Sequence, residues 1–471
     1  MSSQHQQFQY NSDYPINGGV ADPFEFPAAS PHPCARITTR VFHPKRNEVS
    51  TVQNVLVRTM APQPRRRASN SMDDSSSSSS SSSDDSSDND SMQDSVSNLP
   101  AQPTNSTNST QERAYWLQRT IREAIYGRVL YAVVLERRPI QGDWTVTGTA
   151  CAIKEMSWQH IRKERDRLAE DPIKEVSAMA YLKQWYSSQK EQTVDSAEAS
   201  FDAMEDTNIM MPLDLLSDDR HLYSIMPFCD GGELFERLDL NERFSEGEAR
   251  YWMFQVLNGL ENMQRAGICH RDMSLENLLV HKDGCLIIDM GMCLRVPYTN
   301  GGTGDALTES FDNLALNGKR NTIPFEKVDN ISPINAVRDG RNTPRQMITP
   351  QGTCGKWIYM SPEIYKNKDP FDGFAVDIWA AGVILFLMLT GFPPWERACL
   401  TDDRFKYMTA GYLVQMLTEW DIGLSSDAMD LLQRMLWLDA KDRLSLEQVR
   451  AHPWMANWPM TLPTSNSGAE F

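Results

Sequence analysis

The chain has 471 residues, of which 40% are hydrophobic, and is therefore long enough for two or three domains with a sizeable core. Its formal net charge of −17 argues against broad binding to nucleic acid or to anionic membranes. Its eight cysteines are scattered, without a close pair or metal-ligand spacing, which is typical of reduced thiols inside a cell.

The N-terminal region is polar and of low complexity. Ser75 to Ser83 is an unbroken serine run with aspartates on both sides. Such a tract cannot bury enough apolar surface to order itself, and we expect residues 1–110 to be mostly disordered. The N-terminus lacks the charged start and following apolar run of a secretory signal. The most apolar run, Ala380 to Leu389, is too short to span a bilayer. We therefore expect a soluble protein of the cytoplasm or nucleus.

A strand and a helix come next, each with one prominent charged residue. The sequence TACAIK at residues 149–154 predicts a strand ending on Lys154. Asp171 can cap the helix that follows, and Pro172 suits its first position. Glu175 lies in this helix, twenty-one residues after Lys154. An ordinary surface ion pair is the alternative interpretation of Lys154 and Glu175.

A long helix is predicted in the middle of the chain. Ser245 and Glu248 form an S-x-x-E capping box that opens an amphipathic helix ending near Gly267. The helix follows the sequence HLYSIMPFCDGGELF at residues 221–235. It delivers the chain to the segment that starts at His270.

That segment, HRDMSLEN at residues 270–277, is the most informative part of the sequence. Asp289 follows twelve positions after its last residue. Between them, two short apolar runs flank Asp283–Gly284, which is a strong hairpin signal. A lone Asp-x-Gly is weak evidence because both residues favour turns anywhere. Here the loop, the hairpin and the second aspartate occur together.

These segments resemble the eukaryotic-type protein kinases of the serine/threonine class. The resemblance covers about Tyr115 to Trp454, and the sequence AHPW at residues 451–454 is similar to the end of the calcium/calmodulin-dependent group. It implies an α+β, two-lobed fold, in which a small antiparallel β lobe with one helix lies above a larger, mainly helical lobe. We expect a kinase domain at 115–455, with insertions at about 187–207 and 298–349, and a short tail at 456–471.

The resemblance implies transfer of the ATP γ-phosphoryl group to serine or threonine hydroxyls of proteins, for which the enzyme supplies positioning and charge neutralisation. Asp272 would orient the attacking hydroxyl. Lys154, fixed by Glu175, would contact the α- and β-phosphates, while Asn277 and Asp289 would hold Mg²⁺. The other residues expected around the nucleotide are Gly127, Val129, Ala152, Met226, Cys229, Glu233 and Leu279. Cys229 is the expected amide donor to the adenine base because Pro227 has no N–H.

The sequence departs from the family pattern at two places. Residues 122–129 (REAIYGRV) keep only the last glycine and the valine of G-x-G-x-x-G-x-V, so this loop should be stiffer than usual. Ser274 stands where the family has a lysine, and Lys356 stands where the family has a threonine. We hypothesise that Lys356 reaches back over Ser274 and Asp272 and restores the lost positive charge. Independent drift into an inactive site is the competing explanation.

The lower part of the sequence supports a kinase of proteins. Residues 352–363 (GTCGKWIYMSPE) resemble the peptide-positioning loop, which disfavours a small-molecule kinase. By the same resemblance, Glu363 should pair with Arg443, and Asp377 should brace the catalytic loop. A pseudokinase scaffold that signals only by binding remains the alternative of a different class.

Regulation and partners are suggested by short motifs. Glu233 and Glu276 match positions that read arginine upstream of the target hydroxyl, so protein substrates with basic residues there are expected. The 298–349 insertion carries three Ser-Pro or Thr-Pro dipeptides, and Thr353 lies nearest the expected site of an upstream activating kinase. Thr353→Ala is thus predicted to lower activity more than Thr343→Ala. Ser69, after three arginines, fits a kinase target or, equally, part of a localisation signal.

Overall fold

The computed structural model describes residues 26–59, 112–165, 167–190, 197–296, 336–338 and 344–456. Its upper lobe comprises β1 (His32–His43), β2 (Glu48–Arg58), β3 (Arg113–Ala124), β4 (Gly127–Arg138), β5 (Asp143–Ser157), α1 (Trp158–Glu164), α2 (Pro172–Lys190), α3 (Ala197–Thr207), β6 (Asp214–Ser217) and β7 (His221–Pro227).

The lower lobe is mainly helical. Its elements are α4 (Leu234–Asn241), α5 (Glu246–Arg265), β8 (Ile268–Cys269), β9 (Leu278–His281), β10 (Gly284–Ile287), β11 (Leu294–Arg295), β12 (Ala336–Arg338), β13 (Pro344–Gln346), α6 (Pro362–Lys366), α7 (Gly373–Thr390), α8 (Asp403–Tyr407), α9 (Leu413–Glu419), α10 (Ser426–Met435), α11 (Leu446–Ala451) and α12 (Pro453–Ala456). The predicted α+β kinase fold is confirmed.

The strands of the upper lobe close into a barrel in the order β1-β2-β3-β4-β5-β7-β6. The closure is made by β1, which pairs in parallel with β6 and, at its other end, with β5. The apolar side chains of alternate positions, among them Leu56, Ile153 and Ile225, fill the interior. Lys154 lies near the end of β5, where this strand pairs with β4 on one side and β7 on the other.

The prediction that residues 1–110 are mostly disordered is wrong for residues 26–59. These residues include β1 and β2, and Val41, Val55 and Leu56 are fully buried. Arg58 donates two hydrogen bonds to Asp214, at 2.9 and 2.7 Å. The serine-rich composition does not extend to these strands, whose β-branched residues suit a pleated surface. Residues 1–25 and 60–111 lie outside the described part of the chain.

The lower lobe is built around two helices, α5 and α7, whose apolar residues share one core. Ser245 caps α5 by accepting a hydrogen bond from the amide of Glu248, as the capping box predicts. Within the described ranges, α7 is the helix that is long and apolar enough to cross a membrane. Because 94% of that stretch is buried inside the fold, its hydropathy is explained by its place in the core.

The structure describes only parts of the two predicted insertions. Helix α2 continues to Lys190, and α3 covers 197–207. Of the 298–349 segment, residues 298–335 and 339–343, with Ser332 and Thr343, lie outside the described residues. β12 and β13 pair with each other as a short antiparallel ladder.

Candidate active site

A lysine and a glutamate meet between the sheet and helix α2. The Lys154 ammonium lies 2.6 Å from the Glu175 carboxylate, and both side chains are largely buried. Asp171 sets the start of the helix, since its carboxylate accepts the amides of Ile173 and Lys174 at 2.9 and 3.2 Å. Burial opposes the charge on Lys154, but the nearby carboxylates overcome it and hold its pKa above the ordinary value. Lys154 is therefore a cation at neutral pH.

A second carboxylate, Glu170, also contacts this lysine. Its oxygen lies 3.3 Å from the Lys154 ammonium. No sequence signal marks Glu170, because it precedes the helix and has no periodic relation to Glu175. A side chain on Gly291 would come within 2.7 Å of the Glu170 Cγ, so the glycine leaves room for it.

The catalytic loop is held from below by one buried aspartate. Asp377, on α7, accepts the amides of His270 and Arg271 at 2.7 and 2.8 Å, as the resemblance implies. Asn277 donates to the Asp272 carbonyl at 2.8 Å and to its carboxylate at 3.1 Å. Burial raises the pKa of the Asp272 carboxyl to about 7, against the opposing charge of Lys356.

Asp289 lies at the meeting point of these groups. The negative charge of Asp289 acts to raise the pKa of Lys154, Glu175 and Asp272. One oxygen from each of Asp289, Glu170 and Glu175 lies within 4.8 Å of the others. Three carboxylates around one lysine leave an excess of negative charge, and oxygen donors of this kind suit Mg²⁺. Glu170 and Glu175 are engaged by Lys154, so Asp289 is the carboxylate of this cluster that fits the metal implied by the kinase resemblance.

Three of the residues expected on the adenine side of the cleft border the lower core, and their contact with a nucleotide stays a prediction. Met226, Cys229 and Leu279 are partly buried hydrophobic residues that pack against the edge of the lower core. Ala152 pairs with Met226 across β5 and β7. The Phe228 amide donates a hydrogen bond to the Ala150 carbonyl at 3.4 Å. Among the described residues no acceptor takes the Cys229 amide, so it remains free to bind a base.

The hairpin above the cleft differs from an open glycine loop. Ala124 pairs directly with Gly127, which leaves a two-residue turn, and the Tyr126 side chain is buried with its hydroxyl 2.8 Å from the Glu170 carbonyl. A Cβ on Gly127 would lie 2.0 Å from the Glu155 carbonyl oxygen, so close strand packing accounts for this glycine. Its contact with phosphates stays a prediction. Val129 pairs with Lys154 on the neighbouring strand.

The mouth of the cleft carries an ion pair that the sequence did not reveal. Arg122 occupies the position of the first family glycine, and its guanidinium lies 3.0 Å from the Glu233 carboxylate. Glu233 is the residue expected to reach the ribose. The hairpin is consequently linked to the lower lobe at the place where a nucleotide would enter.

Lys356 and Ser274 are adjacent. The lysine ammonium donates to the Ser274 hydroxyl at 2.8 Å and lies 3.3 Å from the Glu276 carboxylate. The Tyr359 hydroxyl also donates to Glu276, at 3.3 Å. The side chain of Lys356 is therefore in direct contact with two residues of the 270–277 loop, Ser274 and Glu276.

The expected pair in the lower lobe is also present. Arg443 is fully buried at its side chain and makes two hydrogen bonds to Glu363, at 2.5 and 2.8 Å. It also donates to the Trp437 carbonyl at 2.8 Å. This bidentate pair fixes the end of the peptide-positioning loop to the helical core.

The sequence is similar to that of known protein kinases. The sequence matches the protein kinase domain over residues 144–311 and 340–455. The serine/threonine-protein kinase DCLK3 of Mus musculus is 30% identical over 285 residues, which cover 60% of this chain and 30% of that protein. The probable serine/threonine-protein kinase fhkD of Dictyostelium discoideum is 25% identical over 279 residues, covering 57% and 32%.

The serine/threonine-protein kinase SRK2I of Arabidopsis thaliana is 27% identical over 312 residues, which cover 66% of this chain and 72% of that protein. The chain spans about a third of the length of the mouse and Dictyostelium relatives. Lys154, Asp272 and Asp289 all lie inside the matched range. By its matched residues and by the cleft that they form, the chain belongs to the protein kinase family.

Proposed function

We propose that this protein is an ATP-dependent kinase of serine and threonine residues in proteins. The observation that carries the proposal is the convergence of the Lys154–Glu175 pair, the Asp272–Asn277 pair and Asp289 around one cleft. The two pairs and Asp289 supply three different requirements of phosphoryl transfer, namely a cation for the phosphates, a group for the attacking hydroxyl and an oxygen ligand for the metal.

We assign each residue of the cleft a separate role in phosphoryl transfer. Lys154, held by Glu175, would bind the α- and β-phosphates, and Asp272 would accept a hydrogen bond from the target hydroxyl and orient it. Asn277 has its amide nitrogen engaged by Asp272, which leaves its carbonyl oxygen for Mg²⁺ together with Asp289. The bound metal would neutralise charge on the transferring phosphoryl group.

Lys356 is proposed to supply the second cation of the site. It stands 2.8 Å from the hydroxyl of Ser274, the residue that replaces the family lysine, and its charge acts on Asp272. A preorganised cation in a partly closed site stabilises developing negative charge. The exchange would therefore preserve the charge while moving its point of attachment to the peptide-positioning loop.

The substrate is proposed to carry basic residues upstream of its target hydroxyl, as in the calcium/calmodulin-dependent group. Glu233 and Glu276 are the acidic groups that support this preference, and each now has an internal cationic partner, Arg122 and Lys356. A substrate arginine would exchange with these partners. An upstream kinase acting on Thr353, and a location in the cytoplasm or nucleus, complete the proposal.

A pseudokinase scaffold is the second candidate. The observation in its favour is the divergent, tightly turned hairpin, in which Tyr126 is buried and Arg122 is tied to Glu233. This arrangement reduces the backbone amides available to phosphates.

Transfer of radiolabelled phosphate from ATP to a generic basic protein, compared between wild type and Asp272→Ala, tests the two candidates. If the protein is a kinase, the wild type transfers label, and Asp272→Ala lowers the rate of transfer on the order of 10³-fold because a group that stabilises the transition state is removed. If both proteins are silent while Mg²⁺-ATP raises the melting temperature, the scaffold is correct. Lys366→Met, an exposed lysine outside the cleft, is the matched control.

A further inference from the structure

Helix α2, which carries Glu175, is contacted by a segment that lies outside the matched kinase range. We propose that the N-terminal arm, residues 26–31, is an internal brace that holds α2 in the position that pairs Glu175 with Lys154. The proposal rests on the proposed kinase function for its effect on activity.

The arm contacts α2 at two points. The Phe26 ring packs edge-on against Tyr181, with 5.7 Å between ring centroids. The Ala29 amide donates to the Ser177 hydroxyl at 3.3 Å. Ser177 is buried and lies two residues after Glu175. The arm thus contacts two residues of α2, Ser177 and Tyr181, that lie about one helical turn apart.

The same arm is joined to the sheet. It continues directly into β1, where His32 pairs with Leu216 and Pro33 with Ser217. Arg36, further along β1, pairs with Glu155, the residue that follows Lys154. A single short segment therefore links helix α2 to the strands beside Lys154, so the distance between them is fixed from outside the cleft.

The sequence of the arm suits a brace. Residues 26–31 read FPAASP, and the two prolines, followed by Pro33 in β1, stiffen the backbone and lower the entropy lost on docking. Phe26 and Ala29 are half-buried, whereas Pro27, Ala28 and Ser30 are exposed. A spacing of three matches the repeat of an extended polyproline II chain, which presents every third residue to one side.

The contact also lies where α2 meets the lower lobe. The Tyr181 hydroxyl donates to the Ala266 carbonyl at 3.2 Å, and the Arg295 guanidinium lies 5.4 Å from the centre of the Tyr181 ring. Arg295 follows Asp289 by six residues. Phe26 therefore packs on a tyrosine that connects the Glu175 helix with the strand after the metal-binding aspartate.

The test uses the full chain with Phe26→Ala and Ser177→Ala, and with Ser30→Ala as the control in the same arm. Hydrogen–deuterium exchange, followed by mass spectrometry without nucleotide, should accelerate in α2 for the first two variants and not in α7. Ser30→Ala should match wild type. Unchanged exchange in α2 of Phe26→Ala would overturn the brace, whether or not the protein is a kinase.

Kinetics then separate bracing from general stability. Below the unfolding temperature of every variant, Phe26→Ala should lower kcat/KM on the order of 10-fold, because a small displacement of a positioned group is costly. In a Glu175→Gln background the same change should have no further effect, since the positioned group is already lost. An equal loss in both backgrounds would refute action through Glu175, and Phe26→Leu should recover part of the activity. A silent wild type would refute the kinase proposal alone.

Discussion

The ammonium of Lys356 lies 2.8 Å from the hydroxyl of Ser274, although 82 residues separate them in the chain. These are the two positions at which the sequence exchanges a lysine and a hydroxyl relative to the family pattern. Their side chains are in contact, so the two substitutions occur at one place in the structure. Independent drift at two unrelated positions would not require such a contact. The relationship supports a set of swap experiments.

Lys356→Met should lower kcat by about 10²-fold, because the cation that stabilises transferring charge is removed. The double variant Ser274→Lys/Lys356→Thr should recover a large part of the rate, since the charge returns from the catalytic loop. Steady-state phosphate transfer measures both effects. Lys366→Met, an exposed lysine, is the control, and a double variant no better than Lys356→Met would contradict the exchange.

The ion pair between Arg122 and Glu233 leads to a prediction on nucleotide affinity. The Arg122 side chain is more than half exposed, so the pair is worth at most about 1 kcal/mol. Arg122→Ala should free Glu233 for the ribose and lower the KM for ATP by up to about 5-fold, with kcat nearly unchanged. Glu123→Gln, on the same hairpin and also exposed, should leave KM as in wild type. A rise in KM for Arg122→Ala would show that Arg122 binds the nucleotide instead.

The buried Arg443–Glu363 pair should matter for stability. Arg443→Ala leaves a carboxylate without its partner and opens space in the lobe, and it should lower the free energy of unfolding by about 3–5 kcal/mol. Urea denaturation followed by tryptophan fluorescence gives this value. Arg434→Ala removes an exposed pair with Asp430 and should cost less than about 1 kcal/mol. Similar losses for the two variants would contradict the structural role of Arg443.

The site residues that could be predicted from the sequence lie in contiguous segments with recognisable local signals. Asp272 and Asn277 belong to one loop, and Asp289 follows a hairpin whose turn is readable in the sequence. Glu175 lies in a helix whose capping residue and first proline mark its start. In each case local backbone preferences and the functional residue coincide.

The parts that were missed depend on contacts between distant segments. β1 joins the barrel by pairing with β6, about 180 residues later, and nothing local in residues 32–43 specifies that partner. Glu170 approaches Lys154 only because α2 is docked beside the sheet. Arg122 meets Glu233 across the cleft. Such relationships arise from tertiary packing, which a reading of short motifs does not contain.

The buried carboxyl of Asp377 should make the stability of the fold depend on pH. Burial raises the pKa of its carboxyl to about 7, although it accepts the amides of His270 and Arg271. A carboxyl whose folded-state pKa lies above its unfolded value favours the folded state at low pH, and that contribution is lost as pH rises through about 7. Asp377→Asn removes the titration. The difference in unfolding free energy, wild type minus variant, should therefore fall between pH 5.5 and pH 8. Urea denaturation at several pH values measures it, and a difference independent of pH would show that the carboxyl does not titrate in this range.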